Sequence, residues 1–110
     1  MDSSAEISAR AEALQAARGI SEGRIGIIEG CRRLSSLAHQ VVPDWTLDED
    51  FRVFGAVSSE TDCLPTGSAR RYWENSALER EDQKISAAEA LYREAVLSAC
   101  RNVIARFEAE

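Results

Sequence analysis

The sequence is poor in the residues on which many familiar protein chemistries depend. Its 110 residues include one histidine, three cysteines, two prolines and one methionine. No apolar run approaches the roughly 20 residues that cross a bilayer. The lone imidazole, His39, cannot build a two-histidine metal site, and no Cys-x-x-Cys accompanies it. Cys31, Cys63 and Cys100 are odd in number and far apart, whereas a secreted domain stapled by disulfides carries more cysteines, in even number. Residues 1–6 lack the basic stretch and apolar run of a signal peptide. The expectation is a cytoplasmic protein with reduced thiols. Cys31 and Cys100 fall at apolar helix positions, where a free cysteine packs as a small hydrophobe.

Catalytic and cofactor motifs are equally sparse. The stretch from Gly19 to Gly30 holds neither G-x-G-x-x-G nor a Walker lysine. Asp48-Glu49-Asp50 begins like a calcium loop, but Arg52 and Val53 stand where an EF-hand needs a ligand and a glycine. A magnesium site would require Asp48, Asp50, Glu60 and Asp62 to converge from two segments. A Cys–His pair would require His39 beside a cysteine. The favoured reading instead puts His39 in the last turn of a helix, where its charge complements the macrodipole. No catalytic residue, metal or cofactor is expected.

What is present reads as a globular helical protein. Apolar residues make up 45% and charged residues 29%, near ordinary averages. The length fits one domain, residues 1–110, able to bury roughly two thirds of its surface without disulfides or metals. A first helix is predicted over about 4–18, opened by a Ser3/Glu6 capping box, stopped by Gly19, and apolar along Ile7, Ala11, Leu14 and Ala17. A second, over about 22–39, carries Ile27, Ile28, Cys31, Leu34, Leu37 and Val41 on one face and ends before Pro43. Gly26 and Gly30, four apart, predict close approach of a neighbouring helix there.

Residues 43–75 are irregular or briefly helical. Asp48 can cap a short helix bearing Leu47, Phe51 and Phe54. The alternation Phe51, Val53, Gly55, Val57 also suits a strand, but a strand would lack a partner, so the helix is preferred. Ser58 to Gly67 reads as a loop. The last helix, over about 76–108, opens with a Ser76/Glu79 capping box. Its stripe is Ile85, Ala88, Tyr92, Ala95, Ala99, Val103 and Phe107, broadened by Leu91, Val96, Cys100 and Ile104. At 1.5 Å per residue it spans roughly 45 Å. Such a stripe needs cover from the first two helices, so the fold class is all-α: a small three- to four-helix bundle with a long C-terminal helix and an irregular acidic connecting segment.

The net charge of −6 is localised. Residues 1–43 balance, and residues 63–110 carry a net −1. Residues 44–62 hold Asp44, Asp48, Glu49, Asp50, Glu60 and Asp62 against Arg52 alone. The same segment holds Trp45, Phe51 and Phe54. Nucleic-acid binding is excluded, because the phosphate backbone needs a clustered basic face and Arg32-Arg33 and Arg70-Arg71 are too few. Membrane binding is excluded by the mixed polar face of the last helix. Arg70 and Arg71 are placed to return and pair with Glu60 or Asp62. The expected function is a non-enzymatic protein-binding module that shows a basic protein partner the carboxylates Asp48, Glu49, Asp50, Glu60 and Asp62, anchored by Trp45 and Phe51. Its most concrete form is an immunity or antitoxin-like inhibitor of a cationic toxin. The alternative is a helical homo-oligomer with a structural or scaffolding role, and the third reading is a carboxylate-based metal-dependent enzyme.

Overall fold

Four helices joined by short connections account for most of the backbone in the computed structural model, which describes residues 4–108. They are α1 (Ser4–Ser21), α2 (Ile27–Val41), α3 (Glu49–Glu60) and α4 (Asn75–Glu108), with 3₁₀ turns at Trp45–Leu47 and Gly67–Tyr72. No strand occurs among the described residues, so the ambiguous stretch around Phe51 is helical. The capping role predicted for Ser3 lies outside the described residues.

The first two helices differ from expectation at their junction. Gly19 does not stop α1 but is buried inside its last turn. Its carbonyl accepts hydrogen bonds from Arg24 N (2.8 Å) and Ile25 N (3.0 Å), while Gly23 reverses the chain at φ +78°, a conformation glycine adopts without penalty. The turn therefore occupies residues 22–26, and α2 starts at Ile27 rather than Glu22. Close packing falls at Gly19 and Gly30, not at Gly26. A methyl group on Gly30 would run into Ile20 and one on Gly19 into Ile25, whereas Gly26 faces open space.

The buried face of α1 is Ala9, Ala13, Ala16, Ala17 and Ile20, while Ile7 is exposed. Small side chains win this position because they let the neighbouring helices approach closely. Asp48 caps α3 as predicted, accepting from Asp50 N (3.0 Å) and Phe51 N (3.1 Å). Phe51 and Phe54 then enter the core edge to face, 5.5 Å apart, and Phe107 of α4 stacks on Phe51 at 6.3 Å.

Arg10 lies over the Phe107 ring while Ile20 shares a cleft with Leu97, so α1 and α4 run antiparallel. The 18 residues of α1 reach roughly half the length of the 34-residue α4. Accordingly, the buried residues of α4 are Val96, Ala99, Cys100 and Val103, and none of residues 75–95 is buried. The expected cover over the whole stripe is absent: Leu91 is 74% exposed. One hydrophobic core joins α1, α2, α3 and the C-terminal third of α4, and the molecule measures 51 × 26 × 24 Å.

Candidate functional site

The acidic segment divides into carboxylates used inside the fold and carboxylates facing water. Asp48 is spent on the α3 cap and on Arg106, whose Nη1 lies 2.9 Å from Asp48 Oδ2. Asp50, only 8% exposed, accepts from Asn102 Nδ2 (3.0 Å) and from Arg106 Nη1 (3.2 Å). The ion pair sits where the last turn of α4 meets the first turn of α3. There the acids favour a helix N-terminus and the arginine a C-terminus. Neither carboxylate has its charge free for a partner.

Phe51 is fully buried. Its predicted role as a contact anchor is corrected: helical periodicity from the Asp48 cap turns it inward onto Phe54 and Phe107. Trp45 is half-buried, its ring lying against Gly55, where an added Cβ would come within 2.9 Å of Cζ3. Leu47, expected to line the apolar side of α3, instead ends the preceding 3₁₀ turn and is 78% exposed.

Asp44, Glu49, Glu60 and Asp62 are exposed, and their carboxylates make no hydrogen bond or ion pair among the described residues. They form two groups. Asp44 and Glu49 flank the exposed Leu47 near the start of α3, and Glu60 and Asp62 mark its end, a helix length of roughly 18 Å away. Between them an open cleft of about 360 Å³ is lined by Glu49, Arg52, Val53 and Ala56. The separation keeps Asp48 and Asp50 from converging with Glu60 and Asp62, and no metal-holding group of three or more His, Cys, Asp or Glu lies together among the described residues.

The loop after α3 is held from two sides. Arg32 of α2 is half-buried and donates Nη1 to Thr66 Oγ1 (2.7 Å) and Nη2 to the carbonyls of Thr61 and Leu64, the latter at 2.9 Å. Arg70 does not reach Glu60 or Asp62. It forks onto Asp82 of α4 at 2.6 and 3.0 Å and holds that carboxyl below the usual carboxylate range, chiefly through the hydrogen bond. Of the two arginine doublets, one member each thus holds the connecting segment. Arg33 pairs with Glu29, and Arg71 lies over the Tyr72 ring.

Two further features bear on chemistry. Cys31 and Cys100 are fully buried, and burial pushes both thiols up to about 12. Cys100 itself adds to the rise at Cys31, and Asp50 adds to that at Cys100. Thiols so protonated are poor nucleophiles. His39 is exposed at the end of α2, and Cys63 is the exposed thiol. A cleft of about 720 Å³ lies between α1, the 22–26 turn and α2. Its arginines are each matched by an acid: Arg18 with Glu108, Arg24 with Glu22 and Arg33 with Glu29. It gathers no charge of one sign.

Sequence reasoning missed Leu47, Arg106 and Arg32. The Asp48 cap, with acids following it, signalled that a cation should lie near, but nothing local pointed to a residue 58 positions away. Among the described residues, no helix is long and apolar enough to cross a membrane. Fold and surface together define a small all-helical bundle with four unpaired carboxylates in the segment 44–62, while Glu12, Glu74, Glu79 and Glu94, exposed and equally unpaired, are spread over α1, α4 and the turn before α4. The chain belongs to the family DUF2489, described as a protein of unknown function, whose family model matches residues 5–103. No curated protein and no solved structure matches it.

Proposed function

We propose that this chain is a cytoplasmic, non-enzymatic protein-binding module whose segment 44–62 receives a basic protein partner. The observation that supports this reading is the set of four exposed, internally unpaired carboxylates, Asp44, Glu49, Glu60 and Asp62. Asp44 and Glu49 flank an exposed Leu47 close in sequence to the half-buried Trp45, Glu60 and Asp62 stand at the far end of α3, and Arg52 is the only base of the segment. Unpaired surface charge of one sign steers encounter, and apolar side chains beside it supply contact area. A cationic toxin blocked by an immunity or antitoxin-like inhibitor is the most concrete partner of this kind.

The test is affinity capture from lysate at low and at moderate salt, with the intact chain and with a variant carrying Asp44→Asn, Glu49→Gln, Glu60→Gln and Asp62→Asn. A basic protein held by the intact chain and lost by the variant supports the proposal. Equal retention by both removes this surface from consideration.

The second reading, self-association, is favoured by α4: none of residues 75–95 is buried, yet Leu78, Ile85, Leu91 and Tyr92 lie along them. Helices in proteins owe most of their stability to packing of an apolar face, so a covering partner would stabilise the exposed half. Light scattering across a wide concentration range decides it, and a monomer throughout eliminates it.

A further inference from the structure

We infer that Arg32 is a positioning residue of the acidic surface, fixing the loop that leaves α3 so that Glu60, the last residue of the helix, and Asp62, in the loop, stand preformed for a cationic partner; this rests on the function proposed above.

The case begins with where the Arg32 charge goes. A guanidinium taken partly out of water needs compensation, most often from a carboxylate. Its neighbour Arg33 follows that pattern on the same helix, pairing with Glu29. Arg32 instead gives its hydrogen bonds to three neutral oxygens, the Thr61 and Leu64 carbonyls and the Thr66 hydroxyl, all within one six-residue loop. Those carbonyls lie past the end of α3, where no further helical turn is available to satisfy them.

Thr61 is the centre of the arrangement. It is buried, its N–H bonds Val57 O (3.1 Å), and its hydroxyl donates to the same oxygen (2.6 Å). Its own carbonyl accepts from both Leu64 N (3.0 Å) and Arg32. Glu60 and Asp62 flank this residue in sequence, and both are exposed. Leu64 is buried on the inner side, and Pro65 O accepts from Arg70 at 3.4 Å. The loop is therefore fixed inside by Thr61 and Leu64 and from the flanks by two arginines. Arg32 meets these acceptors from two nitrogens, Nη1 for Thr66 and Nη2 for the two carbonyls, whereas a lysine would have to donate all its bonds from a single nitrogen.

A preformed loop binds without first being ordered, and so binds more tightly. Removing Arg32 also deletes a positive charge, which by itself strengthens attraction of a polycation. Positioning and simple electrostatics thus predict opposite signs.

The experiment uses the full chain with heptalysine as the probe, comparing Arg32→Gln, Arg32→Lys and the charge-matched control Arg33→Gln. Loop mobility is read from a nitroxide on Cys63, the exposed thiol, and retention of the fold from helical circular dichroism. Both Arg32 variants are expected to sharpen the nitroxide spectrum and weaken heptalysine binding about threefold, while Arg33→Gln leaves the spectrum unchanged and binds at least as tightly as the parent. Unchanged loop mobility, or tighter binding by Arg32→Gln, overturns the inference. If Glu60→Gln with Asp62→Asn leaves heptalysine affinity unaltered, the acidic-surface proposal itself fails. If that pair weakens binding and the Arg32 variants do not, only the positioning role fails.

Discussion

Replacing Arg106 by methionine separates structural carboxylates from those available to a partner. Methionine preserves the apolar stem beside Phe107 but leaves the Asp50 carboxylate, 8% exposed, with Asn102 as its remaining side-chain donor. Removing one partner of a fully buried ion pair costs about 3–5 kcal/mol, whereas an exposed pair is worth at most about 1 kcal/mol. The Arg106 side chain is 40% exposed while Asp48 and Asp50 are largely covered, so the loss falls between these limits, at about 2 kcal/mol. Asp50→Asn keeps an acceptor for Asn102 but gives up the charge, at about 1 kcal/mol. In the double variant no carboxylate is stranded at position 50, and the two losses should add incompletely, leaving a coupling of about 1 kcal/mol. Urea titrations of the four proteins give these values directly. A loss under about 0.5 kcal/mol for Arg106→Met, or additive losses, would show that the contact contributes nothing and that Asp48 and Asp50 belong with the surface charge after all.

Three further outcomes follow from the same packing. Phe51→Ala should cost about 3–5 kcal/mol, as for other large buried side chains, and a near-neutral result would return Phe51 to the surface. Gly30→Ala should lower the melting temperature despite the roughly 1 kcal/mol advantage of alanine in a helix, because its methyl meets buried Ile20; a rise would show that Ile20 can move aside. The thiols of Cys31 and Cys100 keep their protons up to about 12, against an ordinary value of 9.0, so the unfolded chain releases protons first as pH rises. Their stability contribution is complete below pH 9 and is lost from there towards 12, by about 1.4 kcal/mol per pH unit for each thiol. Urea midpoints at pH 8 and pH 10.5 should fall less in Cys31→Ala than in the parent, and parallel falls would contradict the burial.

Much of the fold was legible because its signals are local. The α2 stripe of Ile27, Ile28, Cys31, Leu34 and Val41, the Asp48 cap and the unbroken run of α4 each depend on neighbours within a turn or two. The misjudged positions depend on distant parts of the chain. Gly19 looked like a helix stop because its buried contact with Ile25 is invisible until the 22–26 turn folds back. The pattern of the first helix points to Ile7, Ala11, Leu14 and Ala17, yet the buried face is Ala9, Ala13, Ala16, Ala17 and Ile20, because small size is what close packing selects. The α4 stripe was expected to be covered throughout, but α1 reaches only half its length.

The candidate site was legible to a lesser degree. Charge counting located the segment, but the sequence weighs Asp48 and Asp50 equally with Glu49, Glu60 and Asp62. Only the approach of Arg106 separates them. Phe51 and Leu47 exchange expected places because the short helix turns Phe51 inward while Leu47 stays in the 3₁₀ turn before the cap.

The most direct measurement is the association rate of the captured basic partner, followed across ionic strength for the parent chain and for the variant neutralised at positions 44, 49, 60 and 62. If these carboxylates steer the encounter, the parent rate falls steeply with added salt, and the variant starts slower and responds little. Matching rates and matching salt slopes for the two proteins would contradict a docking role for the acidic segment.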